Sequence, residues 1–310
     1  STPQKESFSM RITFGKAPGI SLAAIASLAL FASAAPADDT KIVLIAGKPS
    51  HGPGDHEFNA GTQLMVKCLN EVPGVNAIFI PGGWPEDESV LHGAKSVVFF
   101  MDGGGGHPMI QKNRLETMKR LMDQGAGLVC LHYAVEFPKG KPGDQLLEWL
   151  GGYYETGYST NPHWTADFKS LPDHPITRGV KPFSAKDEWY FNMRFRPEMK
   201  GITPILVAKP DDATREGTTS SPRGPYAHIA AAKGRDEIVA WAFERDDGGR
   251  SFGFTGAHTH KNWAIPEFRT LVLNAVLWTA KVEVPSQGVR CEVTDEDLAK
   301  NLDPKPQRNR

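Results

Sequence analysis

Gly127-Leu-Val-Cys-Leu-His132-Tyr-Ala134 is the stretch of sequence that decides the fold. Its first five residues form an uninterrupted apolar run, which is typical of a strand buried on both faces of a sheet. His132 follows this strand, with Tyr133 and Glu136 close behind. Ligands of open α/β sheets bind beyond the carboxyl ends of the strands. The position predicts either a chemical role for His132 or a polar residue that caps the sheet and bonds to a neighbouring loop.

Three similar apolar runs precede this strand, at residues 41–47, 76–80 and 96–101. Segments with the apolar spacing of helices lie between them, from about Asp55 to Asn70 and from Pro108 to a stop at Gly125. Strands that alternate with helices form parallel sheets with right-handed crossovers. The sequence therefore predicts an α/β fold with an open, mainly parallel sheet flanked by helices.

The second half of the chain has a different pattern, with shorter strand-like segments. They fall at residues 164–168, 189–195, 205–208, 238–243 and 251–255. Asp246-Asp-Gly-Gly249 predicts a hairpin turn between the last two, and Pro266 predicts the start of a final helix. We expect an elaborated second half that contains antiparallel strands. Residues 285–310 are predicted to be a polar, loosely packed tail, disordered from residue 303.

The amino-terminal residues predict export. Arg11 and Lys16 provide a positive start, residues 20–32 form an Ala/Leu-rich apolar run, and Ala32-Ser-Ala34 and Ala35-Pro-Ala37 both suit signal peptidase. A membrane helix would need a longer run of larger apolar side chains, roughly 18 or more residues. We expect residues 1–37 to be upstream residues and a signal peptide, and the mature protein to be periplasmic or secreted, without a membrane span.

Net charge and cysteine content argue against a nucleic-acid-binding protein and against a disulfide-rich protein. The 310 residues carry a formal net charge of -1, and no basic face suggests a nucleic-acid partner. The three cysteines, Cys68, Cys130 and Cys291, are too few for a disulfide framework. Cys68 falls on a helical apolar face and Cys130 inside a strand, so both are predicted to be buried, inert thiols.

Histidines and acidic residues cluster in the predicted loops. They are His51, His56, Glu57, Asp102, His107, His132 and Glu136 in the first half, and His163, Asp187, Glu188, His258 and His260 in the second half. The first-half residues follow parallel strands, whose carboxyl ends meet at one edge of the sheet. If the second half closes over that edge, the two groups form one site. The alternative is that each histidine is a loop residue with a local hydrogen bond.

Three local patterns leave the ligand open. Gly103-Gly-Gly-Gly106 matches no phosphate-binding motif. Its glycines either let backbone amides approach an oxygen-rich ligand closely or form a tight turn. His258-Thr-His260 could chelate a divalent metal if both rings face one way, but an isolated pair of this spacing is a weak signal. Asp187-Glu-Trp-Tyr190 sets carboxylates beside aromatic rings, which suits a sugar or an ordinary half-buried strand.

Together these segments resemble the ThuA-like (trehalose utilisation) family of the class I glutamine amidotransferase-like fold, which has a flavodoxin-like sheet. The matching stretches are Ser50-His-Gly-Pro-Gly-Asp-His56-Glu-Phe-Asn-Ala-Gly61, Gly127-Leu-Val-Cys-Leu-His132-Tyr-Ala134, Asp173-His-Pro-Ile176, Asp187-Glu-Trp-Tyr-Phe-Asn192 and Gly256-Ala-His258 through Asn262-Trp263. The resemblance extends from residue 41 to residue 281, so we expect a ThuA-like domain over residues 38–284.

The resemblance also separates this chain from true amidotransferases. Those enzymes carry a nucleophilic cysteine on a sharp turn after a strand, in a G-x-C-x-G context. Here His132 stands at that position and Cys130 precedes it within the strand. Because a reactive thiolate needs an exposed, electropositive site, we expect cysteine-dependent glutamine hydrolysis to be lost.

The family is associated with the use of sugars, notably disaccharides oxidised to 3-keto forms. The resemblance implies a small carbohydrate ligand and acid–base chemistry, with His132 or His56 as the base and Glu188 as the partner acid. The expected catalytic residues are His132, His56, Glu188 and His258, and the expected substrate-binding residues are Asp102, Tyr133, Glu136, His163, Trp189 and His260. The alternatives are a non-catalytic sugar-binding accessory protein and a metal-dependent hydrolase that uses His258 and His260. The sequence does not identify a cofactor. A divalent metal bound by His258 and His260 is the one candidate.

Overall fold

Seven strands form the central sheet, in the order β2-β1-β3-β4-β11-β10-β9. The structure is a computed structural model that describes residues 9–13, 15, 39–216 and 226–305. Its strands are β1 Thr40–Ala46, β2 Val75–Ile80, β3 Ser96–Phe100, β4 Gly127–Leu131, β5 Gly152–Tyr153, β6 Trp164–Phe168, β7 Phe183–Asp187, β8 Arg194–Phe195, β9 Ile202–Ala208, β10 Glu237–Glu244 and β11 Arg250–Phe254. Strands β1 to β4 pair in parallel, and β11 adds to β4 in parallel. The predicted parallel core is confirmed.

The second half completes the sheet with an antiparallel edge. β10 pairs with β11 across the predicted turn at residues 246–249, and β9 pairs with the other side of β10. Two further antiparallel pairs, β6 with β7 and β5 with β8, lie outside the main sheet. The elaborated, partly antiparallel second half is therefore confirmed.

Helices cover both faces of the sheet. They are α1 Phe58–Asn70, α2 Arg114–Asp123, α3 Lys141–Trp149, α4 Asp212–Arg215, α5 Ala227–Ala230, α6 Pro266–Thr279 and α7 Asp295–Ala299. On one face, α1 and α6 pack on alternate side chains of the parallel strands, such as Val98 and Val129. On the other face, α2 and α3 pack on their neighbours Val97 and Leu128. These strands read as continuous apolar runs because both faces are covered, and each large side chain so buried contributes about 1.5–3 kcal/mol.

The predicted strand at residues 189–195 is wrong, since only Arg194–Phe195 forms a strand there. The preceding strand, β7, ends at Asp187, and the indole of Trp189 turns back to donate to the carbonyl of Ala185 at 2.9 Å. Asn192 then has a left-handed backbone with φ of 55°. The apolar side chains of this segment are buried without a ladder of backbone hydrogen bonds, so their composition imitates a strand.

The predictions for Cys68 and for the carboxyl-terminal tail are also wrong. Cys68 on α1 forms a disulfide with Cys291, whereas Cys130 is a free, buried thiol as predicted. The tail forms α7, and buried Asp303 accepts a hydrogen bond from the backbone nitrogen of Phe58 at 2.9 Å. A partner 223 residues away leaves no spacing signal in the sequence. Residues 306–310 of the tail lie outside the described residues.

The apolar run of the predicted signal peptide and both cleavage sites also lie outside the described residues, so the signal peptide stays a prediction. Within the part of the chain that the structure describes, no helix has the length and apolar character that crossing a membrane requires.

Candidate functional site

Four side chains from separate loops meet at the carboxyl edge of the parallel strands. His56 lies between β1 and α1, His132 directly follows β4, Glu188 directly follows β7, and His258 follows β11. We call these four residues the histidine–glutamate cluster. One potential ligand atom from each residue lies within 4.8 Å of the other three. The second half of the chain thus closes over the edge where ligands of parallel sheets bind.

The facing atoms of the cluster are close together. Nε2 of His56 lies 3.0 Å from Nε2 of His132 and 2.9 Å from Nδ1 of His258, and the last two atoms are 3.2 Å apart. The carboxylate of Glu188 approaches Nδ1 of His258 at 3.0 Å and Nε2 of His132 at 3.4 Å. The side chains are nearly enclosed, with exposed fractions from 0% for His132 to 8% for Glu188.

The opposite nitrogen of each imidazole contacts an oxygen outside the cluster. Nδ1 of His132 donates to the carbonyl of Thr255 at 2.8 Å, and Nδ1 of His56 lies 2.9 Å from the carboxylate of Asp102. Nε2 of His258 lies 3.5 Å from the carboxylate of Asp55. These contacts fix the ring orientations and place the remaining ring nitrogens towards one another.

The backbone of the cluster is locally strained. His56 and His132 have left-handed φ values of 47° and 55°, and Ala257, just before His258, has φ of 82°. Residues other than glycine rarely adopt this conformation, and such strain concentrates at functional sites. The turn at His132 points its ring into the site immediately after β4.

The family model described as trehalose utilisation, ThuA, matches residues 84–279. This chain belongs to the ThuA family. Among solved structures, the chain is similar to a ThuA-like protein from Bacteroides uniformis, with 15% sequence identity and a TM-score of 0.55 over 80% of this chain and 94% of that chain. At that identity the likeness shows the fold alone. A comparison with curated proteins gives no match.

The ThuA match contains three members of the cluster, His132, Glu188 and His258, whereas His56 precedes residue 84. Backbone pairing explains how His56 nevertheless reaches the site. The nitrogen of His56 donates to the carbonyl of His258 at 2.9 Å, and the nitrogen of His260 donates to the carbonyl of Gly54 at 2.9 Å. The loop before α1 therefore lies along the loop after β11.

Asp187 holds two parts of this ThuA-family site together. Its Oδ2 accepts from the nitrogen of Ala257 at 2.8 Å and the amide of Asn262 at 3.0 Å. Its Oδ1 accepts from the nitrogens of Glu188 at 2.9 Å and Thr259 at 3.0 Å. This fully buried carboxylate thus positions both Glu188 and His258. The sequence analysis did not assign Asp187 a role, although its place beside Glu188 was a signal.

The pKa values of the cluster residues are shifted in different directions by burial and by neighbouring charges. Burial, together with neighbouring His132 and His258, lowers the pKa of His56 far below its usual range. Burial also opposes the charge on His258, but the carboxylates of Asp55 and Glu188 outweigh it and raise the pKa of His258 to about 9. Burial would raise the pKa of Glu188, yet hydrogen bonds from His132 and His258 lower it well below its usual range. The lowered pKa favours the ionised form of Glu188 at neutral pH, and its role as the partner acid stays a prediction.

Several predicted substrate-binding residues surround the cluster. Asp102 bonds to His56, the ring of Tyr133 lies 6.1 Å from that of His56, and the ring of His163 lies 4.9 Å from that of His258. Glu136 is buried at the edge of the site, where it accepts a hydrogen bond from Thr156 at 3.0 Å. A Cβ on Gly103 would lie 2.0 Å from the carbonyl of Tyr133, so this glycine permits close packing of the loop.

Trp189 and His260 do not join the site. Trp189 is fully buried among Phe168, Phe254 and Phe268, so its ring has no free face for a sugar. Nε2 of His260 bonds to the carbonyl of Leu298 at 2.9 Å. Among the described residues, the groups of side chains that could hold a metal ion do not contain His260. The chelating pair of His258 and His260 is therefore wrong, because the ring of His260 bonds to the carboxyl-terminal segment whereas the ring of His258 lies in the cluster.

A cavity adjoins Asp102, the residue that contacts His56 of the cluster. Asp55 and Asp102, whose side chains are each 40% exposed, lie on the accessible side with the ring of His51, which is 3.6 Å from that of His56. Asp102 also lines a cavity of about 380 Å³ with Lys48, Trp84, Gln111 and Arg114. Sequence reasoning missed Asp55, and it also missed Tyr190, whose hydroxyl lies 3.2 Å from Nε2 of His132. Their positions depend on loop closure, which leaves no periodic signal.

Proposed function

We propose that this ThuA-family protein is an exported enzyme of carbohydrate metabolism that acts on a sugar or a 3-keto-glycoside at the histidine–glutamate cluster. The observation that carries the proposal is the convergence of two imidazole nitrogens, 3.0 Å apart, with the carboxylate of Glu188 at the carboxyl edge of the sheet. The adjoining cavity presents Lys48, Gln111 and Arg114, which can donate hydrogen bonds to sugar hydroxyls.

A keto group at carbon 3 acidifies the hydrogen on carbon 2. Removal of that proton gives an enolate, which either takes up a proton again or expels the glycosidic oxygen from carbon 1 as a carbon–carbon double bond forms. The reaction needs a group with a free lone pair and a positive charge near the enolate oxygen. The ring nitrogens of His56 and His132 supply lone pairs when no cation lies between them, and the exposed carboxylates of Asp55 and Asp102 supply them when one does. Positive charge comes from protonated His258 or from a bound cation.

The test compares 3-keto-trehalose with unoxidised trehalose, using the full mature chain purified without chelators. Nuclear magnetic resonance in deuterated water detects both exchange of the hydrogen on carbon 2 and release of glucose. We expect both signals to require the keto group and to disappear in His132→Ala. His92→Ala is the matched control, because His92 is an exposed histidine that precedes β3 at the opposite edge of the sheet.

Two outcomes would contradict the enzyme proposal. Calorimetric binding of the keto-sugar without exchange or product would favour the accessory binding protein instead. Absence of both binding and turnover, or full turnover in His132→Ala, would remove the sugar proposal from this site.

Export is tested separately. Expression with the native leader should give a periplasmic or secreted product that begins near residue 35 or 38, since the small residues of the two predicted cleavage sites lie there. Intact-mass analysis of that product decides the question, and a mature protein that retains Arg11 would contradict export.

A further inference from the structure

We propose that the histidine–glutamate cluster is the binding site of one divalent transition-metal ion, held by Nε2 of His56, Nε2 of His132, Nδ1 of His258 and Oε2 of Glu188. The inference rests on the proposed function in treating the cluster as the active centre, and it names the cofactor of that centre. Three features support it: the hydrogen positions on the imidazoles, the spacing of the four atoms, and the oxygens behind the rings, which also determine those hydrogen positions.

The hydrogen positions leave lone pairs facing one another. A carbonyl oxygen only accepts hydrogen bonds, so the contact with Thr255 places the hydrogen of neutral His132 on Nδ1 and a lone pair on Nε2. The carboxylate of Asp102 likewise places the hydrogen of His56 on Nδ1. The two Nε2 lone pairs then face each other at 3.0 Å. Such an arrangement repels unless a positive charge lies between the nitrogens.

Protons alone satisfy the cluster only in part. A proton on Nδ1 of His258 can be shared with Glu188 at 3.0 Å and with Nε2 of His56 at 2.9 Å, and the hydroxyl of Tyr190 can donate to Nε2 of His132. Neither hydrogen lies between the Nε2 atoms of His56 and His132. One cation at the centre pairs with all four lone pairs at once.

The spacing fits a small ion. For bonds of about 2.0–2.1 Å in a tetrahedral site, neighbouring ligand atoms lie about 3.3 Å apart. The five contacts measured between the four atoms run from 2.9 to 3.4 Å. A slight expansion of the cluster would therefore accommodate the ion.

The oxygens behind the ligands complete the pattern. Metal-binding histidines commonly donate their second ring hydrogen to a carboxylate or carbonyl, which fixes the tautomer. Asp102, Thr255 and Asp55 occupy these places behind His56, His132 and His258. The second oxygen of Glu188 accepts from the amide of Asn161 at 3.0 Å, so this carboxylate is oriented as well.

The donor set also selects the class of ion. Three imidazoles and one carboxylate suit zinc, iron, cobalt, nickel or manganese, whereas calcium and magnesium prefer oxygen donors. Asp55 and Asp102 lie on the accessible side, each with 40% of its side chain exposed. A substrate oxygen can therefore approach from that side while the other directions are enclosed by protein.

The metal itself is the probe in the first experiment. Untagged full-length protein, purified without chelators, is analysed by elemental mass spectrometry, and we expect about one equivalent of transition metal per chain. Protein stripped with a chelator is then titrated with Zn²⁺, Mn²⁺, Co²⁺ and Mg²⁺. We expect a transition ion to raise the Tm of the stripped protein and Mg²⁺ to leave it unchanged. The Co²⁺-loaded protein should show a visible absorption spectrum typical of nitrogen and oxygen ligands.

The variants locate the ion. His132→Ala and Glu188→Gln should lose stoichiometric metal and the Co²⁺ spectrum, whereas His92→Ala should keep both. Asp102→Asn retains all four ligands and should weaken metal affinity about 10- to 100-fold. Circular dichroism of each stripped variant separates loss of a ligand from loss of folding, and Glu188→Gln, which conserves volume, serves if the alanine variant does not fold.

The inference is overturned if stripped wild type binds none of the transition ions, if Mg²⁺ alone raises Tm, or if folded Glu188→Gln and His132→Ala bind metal as tightly as wild type. These readouts use no substrate. A protein that binds the ion and ignores keto-sugars would refute the proposed function alone, and a metal-free protein that turns over keto-sugars would refute this inference alone.

Discussion

Oδ2 of Asp187 lies 2.8 Å from the backbone nitrogen of Ala257, and this hydrogen bond ties the segment that presents Glu188 to the loop that presents His258. Both Asp187 oxygens accept two hydrogen bonds each from buried or nearly buried donors. The geometry of the histidine–glutamate cluster therefore depends on a carboxylate that belongs to neither the cluster nor its accessible side.

The first prediction is that Asp187→Asn disrupts the site although it conserves volume. Either orientation of the new amide directs its NH₂ group at two existing donors. We expect a loss of about 2–4 kcal/mol in the free energy of unfolding, together with loss of metal and keto-sugar turnover. Urea denaturation and elemental analysis measure these effects. The control is Asp167→Asn on β6, where the side chain is 57% exposed, and equal effects of the two changes would contradict this role for Asp187.

The second prediction concerns the pH dependence of the chelator-treated protein. The folded-state pKa of His258 is raised from 6.5 to about 9. Its protonated form therefore contributes stability that is complete below pH 6.5 and is lost as the pH rises from 6.5 through 9, by at most about 3 kcal/mol. The lowered pKa of His56 has the opposite sign and acts below pH 6.5, so it leaves this window unchanged.

Urea denaturation at pH 6.5 and pH 9 measures the slope, with His258→Gln as the comparison. We expect the variant to lose most of the decrease that the wild type shows. A wild type whose stability is flat across this range, or a variant with the same slope, would show that His258 does not gain a proton on folding.

The parallel core could be predicted from the sequence because its determinants are local. Residues 127–131 form β4 with the predicted bounds, β2 and β3 differ from prediction by one residue at one end, and β1 differs by one residue at each end. Strands covered on both faces must be continuously apolar, and the loops after them carry the polar residues. The strand order places those loops at one edge, which is why the sequence predicts His56, Asp102 and His132 near one another.

The errors fall where distant contacts override local pattern. Residues 189–195 have the composition of a strand, but the indole of Trp189 donates to the carbonyl of Ala185 and packs in the core. His258 and His260 have the spacing of a chelating pair, yet His260 turns to the carbonyl of Leu298 in the tail. Cys68 pairs with Cys291 because the tail folds back on α1. Periodicity describes single elements, and none of these contacts lies within one.

The third prediction is that Cys130 is not a nucleophile. Cys130 is fully buried within β4, and burial raises the pKa of its thiol, so the thiolate is not available at neutral pH. Cys130→Ala should keep keto-sugar turnover and bound metal, with a packing loss of roughly 1–2 kcal/mol. The wild type should release no ammonia from glutamine. A covalent adduct on Cys130, found by peptide mass spectrometry after incubation with a glutamine analogue, would contradict this prediction.

The last prediction connects the disulfide to the site. The segment beyond Cys291 supplies the carbonyl of Leu298 to His260 and the carboxylate of Asp303 to the backbone of Phe58, two residues after His56. Glu57 strengthens this attachment, since it accepts from the nitrogen of Asp303 at 2.7 Å and pairs with Lys305 at 3.3 Å, where both charged side chains are 2% exposed.

We therefore expect Cys291→Ser to lower the free energy of unfolding by about 2–4 kcal/mol and to weaken metal binding at His56. Cys291 is the position to change, because it is only partly buried whereas Cys68 lies in the core. Reductant should destabilise the wild type and Cys130→Ala by the same amount and leave Cys291→Ser unaffected. Since disulfides persist in oxidising compartments, this result would also support export. The prediction is contradicted if reductant leaves the stability of the wild type unchanged although thiol titration shows full reduction. The noncovalent contacts of Asp303 and Lys305 would then be sufficient to hold the tail.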